Sequence, residues 1–314
     1  MILPCHNAAE FLADALQSVR DQTLGDFECL IVDDASTDNS RSIAQQFVEQ
    51  DPHFRLIVLK QNRGASAARN AGIAEAKGRW IALLDADDLF VPDRLEVLRR
   101  IGDGERADLV FDDQVITTFP ARTSARRAFG FRTPTFAFTQ EDFFTGSRLF
   151  RRAFPAGYMK PLIRRDFLSR SGAAYDPAVP SGEDFLFYAQ LFAQRPRCIG
   201  TSFAGYVYRR RRGSLSWSEE HLHFHAKLGE QVLSELGSQL SPRSRAALEA
   251  RARDFEAVAN VSPAMMALRQ RDWLRLAASL VRRPSVVATG MRMLRARAVR
   301  ALSALRAPAP GRSG

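Results

Sequence analysis

Two apolar spacings alternate along residues 1–100. Uninterrupted runs, Cys29-Leu30-Ile31-Val32, Leu56-Ile57-Val58-Leu59 and Trp80-Ile81-Ala82-Leu83-Leu84, mark strands, the first of them covered on both faces. Between them apolar residues recur at helical spacing. Phe11, Leu12, Ala15, Leu16 and Val19 predict a helix over residues 8–22. Ile43, Ala44, Phe47 and Val48 predict a second, capped by Ser36 or Asp38. A small-residue helix follows over 65–76, closed by Gly78, and Pro92 sits early in a helix bearing Leu95, Val97, Leu98 and Ile101. Residues 1–3 read as a strand stub. Strands alternating with helices in this way predict a largely parallel, doubly wound sheet up to about residue 115.

The rhythm then breaks. Residues 116–155 are rich in Phe, Arg, Thr and Gly and predict a loop and hairpin region over one end of the sheet, its Phe residues mostly core or, alternatively, an acceptor lining. Regularity returns over 158–169. A helix over 185–192 follows Gly182-Glu183-Asp184, and a short strand at 206–208 precedes four consecutive arginines, Arg209 to Arg212. Beyond His221 the pattern is helical, with breaks near Ser241-Pro242, Ser262-Pro263 and Arg283-Pro284 and a frayed end over 307–314.

With 314 residues, 46% hydrophobic and 22 Phe, the chain can bury a large core and is not a disordered one. No apolar run approaches the roughly 18 residues of a spanning helix, so no transmembrane segment is expected. The first residues carry neither a basic region nor a long apolar stretch, so no secretory signal is expected. Cys5, Cys29 and Cys198 are scattered and read as reduced thiols. The net charge of +10 is uneven: residues 241–314 hold 15 arginines against Glu249, Asp254, Glu256 and Asp272, leaving the rest near neutrality. A basic tail on a neutral body suggests a polyanionic surface, either nucleic acid or an anionic leaflet; the plain alternative is a solvated arginine face. In the tail, Trp273, Leu274, Leu276, Leu280, Val286, Met291, Leu294 and Leu302 alternate with Arg at helical spacing. That composition fits amphipathic helices lying in an anionic interface or docked on the body.

Ligands of open parallel sheets bind beyond the carboxyl ends of the strands. Two strands end there in acids, Asp33-Asp34 and Asp85-Ala86-Asp87-Asp88. Five carboxylates on one edge repel unless a cation or hydrogen-bond donors compensate them. A divalent metal with hard oxygen ligands and a phosphate completing its shell is the economical answer. Asp38 and Asp88 read better as caps of the helices that follow.

Four ordered motifs carry a resemblance. Pro4-Cys5-His6-Asn7, Ile31-Val32-Asp33-Asp34-Ala35-Ser36-Thr37-Asp38, Asn62-Arg63-Gly64 with Ala68-Arg69-Asn70-Ala71-Gly72, and Asp85-Ala86-Asp87-Asp88 resemble the family 2 glycosyltransferases, inverting nucleotide-sugar-dependent enzymes of the GT-A fold. Farther on, Tyr158-Met159-Lys160-Pro161-Leu162-Ile163-Arg164-Arg165-Asp166-Phe167-Leu168 and Gly182-Glu183-Asp184-Phe185 resemble the branch that builds bacterial exopolysaccharides such as succinoglycan. The resemblance implies an α/β GT-A fold, a doubly wound mixed sheet with a C-terminal helical extension. Residues 1–115 form the nucleotide-sugar-binding half, 116–220 the acceptor-binding and catalytic-base half of the same domain, and 221–314 the basic amphipathic extension.

The same resemblance implies roles. Pro4, Asn7 and Asp34, with Asp33 beside them, lie near the nucleotide, where a carboxylate can accept the uracil N–H. Asp87 is the direct Mg²⁺ or Mn²⁺ ligand and Asp85 its companion, closer to ribose or sugar hydroxyls; the ion neutralises charge on the departing diphosphate. Arg69 holds the carboxylates or reaches the diphosphate, a structural ion pair being the alternative. Asp184 is the general base, assisted by Glu183, against the plainer reading of N-cap acids. Arg209, Arg211 and Ser214 belong to a segment that closes over the diphosphate. Arg211 stands where the family has His; it cannot ligate a metal and pairs with phosphate instead. His6 replaces a family Tyr, and strand one is three or four apolar residues shorter than the family's pattern.

The activity so implied is transfer of a hexose, glucose from UDP-glucose foremost, to a polyprenyl-diphosphate-linked oligosaccharide in succinoglycan-like exopolysaccharide synthesis. The enzyme would be cytoplasmic and peripheral at the inner face of the bacterial plasma membrane. Another cell-surface polysaccharide, lipopolysaccharide or capsule, is the alternative product. Nucleotidyl transfer would need a Gly-rich basic loop after strand one, which Cys5-His6-Asn7-Ala8-Ala9 is not. Nucleic-acid binding is suggested by charge alone, without an aromatic–basic strand motif, and is not expected.

Overall fold

Three parallel strands, β1 (Ile2–Cys5), β2 (Cys29–Asp33) and β3 (Phe54–Val58), open the fold in the order β1-β2-β3. The computed structural model describes residues 1–119, 125–149, 155–210, 219–269, 271–274 and 288–291. β2 is central in this trio and buried at all five positions, which is why its apolar run has no polar alternation. The connecting helices are α1 (Ala9–Arg20), α2 (Ser40–Gln50) and α3 (Gly64–Glu75). Phe11, Leu12, Ala15, Leu16 and Val19 form the buried face of α1, as their spacing predicts. The small residues of α3 have a packing reason. A Cβ at Gly72 would lie 2.5 Å from Ile2 Cγ2, so the helix rests directly on β1.

The second half of the sheet is mixed. It contains β4 (Trp80–Ile81), β5 (Leu89–Phe90), β6 (Leu109–Thr118), β7 (Arg126–Arg127), β8 (Thr135–Ala137), β9 (Leu162–Arg164) and β10 (Cys198–Arg210), in the order β4-β9-β6-β10-β5. β9 is antiparallel to both its neighbours, whereas β10 runs parallel to β6. β7 and β8 flank β6 and β10 as short antiparallel additions. Helices α4 (Arg94–Gly104), α5 (Gln140–Gly146), α6 (Arg165–Ser171) and α7 (Glu183–Ala193) cover this half, and α8 (Glu219–Leu236) and α9 (Pro242–Arg269) extend it.

Several boundaries differ from the sequence reading for identifiable reasons. Residues 80–84 are not one uniform strand. Trp80–Ile81 pairs with β9, and the chain then crosses to β1, where Ile2 donates to the Ala82 carbonyl (2.9 Å) and accepts from the Leu84 amide (3.1 Å). That exchange of partners joins the two halves into one sheet. The short strand expected at 206–208 is the end of the thirteen-residue β10, whose first part was hidden by Gly200, Gly205 and intervening polar residues at two register shifts. Helix α3 ends at Glu75 with an extended Ala76, and the amides of Lys77 and Gly78 are taken by Glu28 rather than closing the helix. Helix α9 continues through Ser262-Pro263, where a break was expected. The Arg283-Pro284 break and the 307–314 end lie outside the described residues.

The Phe-rich segment is mainly core. Phe143 stacks on Phe192 at 4.5 Å and on Phe185 at 5.8 Å, and Phe111 meets Phe131, Phe136 and Phe138 edge-on. These rings fill the layer between β6, β10 and helices α5 and α7. No helix among the described residues is long and apolar enough to cross a membrane.

Candidate active site

The loops after β1 and β2 are fastened to one another by main-chain hydrogen bonds. Asp34, buried, accepts the Arg63 amide at 2.8 Å with one oxygen and the Gly64 amide at 2.7 Å with the other. It thereby supplies an acceptor for the free N–H groups at the start of α3, which no side chain of that helix caps. Asp33, 0% exposed, accepts the Ser36 amide and the Arg41 guanidinium at 3.1 Å. Asn7 adopts φ +47°, and its Oδ1 receives the Thr37 and Asp38 amides. Pro4 lies buried on β1 opposite Val32. His6 is exposed beside this loop. Its Nδ1 contacts the Asp34 carbonyl at 2.7 Å and therefore carries the proton, leaving Nε2 to accept from Asn62 at 2.9 Å. Asp38 receives the amides of Ala9 and Ser40, so it ties together the starts of α1 and α2 as a cap.

A second constellation forms where β4, α3 and α7 converge. Arg69, nearly buried on α3, donates to Asp85 at 2.7 Å and to Glu183 at 3.0 Å, with Asp184 at 3.7 Å. Lys160 lies before β9. Its ammonium sits 2.7 Å from Asp85 Oδ2 and 2.8 Å from Asp184 Oδ2. The Tyr175 hydroxyl donates to Asp184 Oδ1 at 2.9 Å. Three acids thus share two cations and a phenol. Burial opposes the charge on Asp85, but Lys160 and Arg69 outweigh it and hold the carboxyl well below the usual range. Burial likewise opposes the Lys160 ammonium, and Asp184 and Asp85 overcome it and raise its pKa.

Between the two constellations lies the loop of Asp87 and Asp88. Asp87 is half-buried. Asp88 is buried and accepts from the Tyr206 hydroxyl at 2.6 Å and the Arg209 amide at 2.8 Å. Burial, then the neighbouring Asp87 and Asp85, push its carboxyl well above the usual range. It anchors β10 rather than capping α4, the role expected for it. Arg209 reaches back to the Asp87 carbonyl, to Asp14 at 2.8 Å and to the Phe11 carbonyl. Arg211 and Ser214 lie outside the described residues.

The donor set decides where a divalent ion fits. Both Asp85 oxygens face cations, and no group of three acidic, His or Cys side chains suited to a metal occurs among the described residues. Asp87 alone, with a diphosphate, matches the habit of Mg²⁺ and Mn²⁺ of taking one or two carboxylates plus phosphate oxygens. A cavity of about 700 Å³ lies elsewhere, at the start of β10, lined by Phe136, Phe138 and Arg197. It is remote from the carboxylates.

The structure therefore brings Arg69, Asp85, Glu183 and Asp184 into one ion network and places Pro4, Asn7, Asp33 and Asp34 at the adjoining ends of β1 and β2, where main-chain amides are the chief partners of Asn7 and Asp34. Sequence reasoning missed Lys160, Tyr175 and Tyr206. For Lys160 a signal existed: it is one of four lysines among 45 basic residues and falls within the stretch that carried the second resemblance. Tyr206 carried none, because it acts through Asp88, 118 positions away, and Tyr175, nine residues before Asp184, stands in no motif that marks it.

Comparisons with known proteins bear on the family and the fold. Residues 1–167 match the profile of "Glycosyl transferase family 2". The chain is similar to the succinoglycan biosynthesis proteins ExoO (34% identity over 68% of the chain and 61% of the relative) and ExoU (31% over 79% and 72%) of Rhizobium meliloti strain 1021. It thus spans less than two thirds of ExoO. Among solved structures it resembles residues 1–349 of S. aureus TarS in complex with UDP-GlcNAc, with TM-score 0.61 and 17% identity over 90% of this chain and 91% of that one. It also resembles the mannosyltransferase PcManGT of Pyrobaculum calidifontis in complex with GDP-Man and Mn²⁺, with TM-score 0.58 and 19% identity over 96% and 86%. The mixed sheet with its covering helices has the GT-A fold.

Proposed function

Because this chain belongs to glycosyl transferase family 2, we propose that it is an inverting, metal-dependent hexosyltransferase of cell-surface polysaccharide synthesis. Its donor is a UDP-hexose, UDP-glucose foremost, and its acceptor an oligosaccharide on polyprenyl diphosphate, as in succinoglycan-type assembly. The names of ExoO and ExoU support the polysaccharide class, and UDP-GlcNAc in TarS supports a UDP-sugar donor.

The observation that carries this reading is the shared cation. Lys160 touches both Asp85, just past the stretch 82–84 that pairs with β1, and Asp184, at the start of α7, so the two acids face one space. Asp184 is the base. Tyr175 and Lys160 each donate to one of its oxygens and fix the plane of the carboxylate, which retains lone pairs for an acceptor hydroxyl. As that hydroxyl oxygen bonds to the anomeric carbon, its proton passes to Asp184 and the bond to the diphosphate breaks. Arg69 and Glu183 keep Asp85 and Asp184 at fixed separation. Asp87 would hold Mg²⁺ or Mn²⁺, which when bound neutralises charge on the departing diphosphate. Mn²⁺ in PcManGT supports that assignment. Pro4, Asn7, His6 and the edge of Asp34 form the floor for the uridine.

Asp184→Asn is expected to abolish release of UDP from UDP-glucose with a membrane lipid extract as acceptor, by about 10²-fold or more, while UDP affinity stays unchanged. Turnover at the original rate would overturn the base assignment. We further propose peripheral attachment to the inner face of the plasma membrane through the C-terminal segment. Trp273 is 65% exposed and Leu274 86% exposed, within the arginine-rich quarter of the chain. Co-sedimentation with anionic but not neutral vesicles is the expected result; binding to random oligonucleotides alone would sink it.

A further inference from the structure

The turn that bears the base is gripped from outside the family-matched region, by α8 and α9. Gly182, the N-cap of α7, adopts φ +81°, and no side chain caps the helix there. A Cβ at this position would lie 2.5 Å from His225 Cε1 and 3.0 Å from Leu228 Cδ2, so α8 is seated directly on the turn. His225 is buried, and its Nε2 is 3.3 Å from Ser181 Oγ. Arg251 of α9 donates to the His225 carbonyl at 3.0 Å and lies 3.2 Å from its Nδ1. A guanidinium only donates, so Nδ1 accepts and Nε2 carries the proton that faces Ser181. The His225 ring is stacked on Phe255 at 4.7 Å.

Arg251 also meets the far side of the base. Its guanidinium carbon lies 3.6 Å from the centroid of Phe185, the residue after Asp184. Arg251 is 2% exposed, and among the described residues its Nε has no hydrogen-bond partner and no carboxylate pairs with it. Burial lowers its pKa to about 9. A helix–helix fastener needs no such group, because an apolar side chain packs there without burying a charge. Arg251 also lies 4.5 Å from the centroid of Phe255 on its own helix, and its contacts outside α9 lead to the turn, two of them to the histidine beneath Gly182 and one to Phe185.

We propose that α8 and α9 form a brace for the catalytic turn, with His225 and Arg251 as positioning residues that hold Ser181 and Gly182 on one side of Asp184 and Phe185 on the other. This rests on the reading of Asp184 as the base. A displacement of about 1 Å at a reacting group is enough to lower a rate by about 10²-fold.

The test uses the full chain with His225→Ala, His225→Gln and Arg251→Met. The readouts are UDP release from UDP-glucose, UDP affinity, thermal midpoint and amide exchange over residues 181–187. His225→Ala is expected to lower kcat by about 10²-fold with the KM for UDP-glucose within about twofold. The Leu186 amide, bonded to the Gly182 carbonyl at 3.1 Å, is expected to exchange faster. His225→Gln, whose amide can donate to Ser181 and accept from Arg251, is expected to restore most of both. A lower midpoint with unchanged kcat and unchanged exchange would overturn the brace, leaving the helices as a fastener. Should His225→Ala fail to fold, Arg251→Met, which keeps bulk without donors, is read against the same outcomes. Asp184→Asn, run in parallel, separates the two ideas. Its full activity defeats the base, whereas the exchange readout judges the brace whether or not UDP-glucose is turned over.

Discussion

The two carboxylate constellations differ in what holds them. At the ends of β1 and β2, Asp34 is held by backbone amides of Arg63 and Gly64, and Asn7 by those of Thr37 and Asp38. In the second, Asp85, after the stretch 82–84 that pairs with β1, and Glu183 and Asp184, at the start of α7, are held by side chains, Arg69 and Lys160. An acid held as Asp34 is cannot change partners without unmaking loops, so that part of the first constellation is a rigid floor, whereas Asp33 beside it also pairs with Arg41. Cation-held acids can exchange partners when an anionic ligand arrives, so the second is an adjustable charge store. Rigidity suits recognition of a nucleotide, and exchangeable charge suits a site where a diphosphate enters and leaves.

Removing the cation is the most damaging way to break the comparison. Lys160→Met removes the buried cation that Asp85 and Asp184 share, leaving Arg69 as their cation, and a destabilisation of about 3–5 kcal/mol is expected in urea unfolding, with turnover lost. Lys160→Arg should recover most of the stability. Asp34→Asn is the milder counterpart. Its single carbonyl oxygen can satisfy one of the two amides well, so a loss of about 1–3 kcal/mol is expected, together with weaker UDP binding by calorimetry.

The smallest effect sharpens the claim of rigidity. Burial pushes the Cys29 thiol, on β2, up to about 12. A raised thiol pKa favours the protonated form in the fold, so its contribution is complete below the ordinary value near 9 and declines as pH rises toward about 12. Alkylation of Cys29 at pH 8 should therefore proceed only through unfolding, and its rate should track denaturant. Rapid labelling of the native protein would show that the floor opens locally.

The alternating half of the fold was legible because β2, buried on both faces, and its half-buried edge neighbour β3 leave unbroken apolar runs, and the face of α1 leaves a clear stripe. The start of β10 was not, since Gly200 and Gly205 and two register shifts erase its period. Of the site, the acids stood out because clustered carboxylates at strand ends are unusual. Of their partners Arg69 also stood out, within its motif, but Tyr175 and Tyr206 did not: a single polar letter says nothing of what it will face, whether nine residues on, as for Tyr175 and Asp184, or 118 away, as for Tyr206 and Asp88. His225 and Arg251 were hidden for the same reason, within helices that the pattern marked only as basic and amphipathic.

The exchange of strand partners at residues 80–84 has a consequence for anyone recombining parts of such enzymes. The stretch is stitched to β9 on one side and β1 on the other, and the Val91 amide bonds to the Gly205 carbonyl. A crossover near residue 115 would fall inside β6, which pairs with β9, β7 and β10. Chimeras built to trade donor for acceptor preference at that point would sever a shared central strand, so exchangeable specificity must be sought in loops.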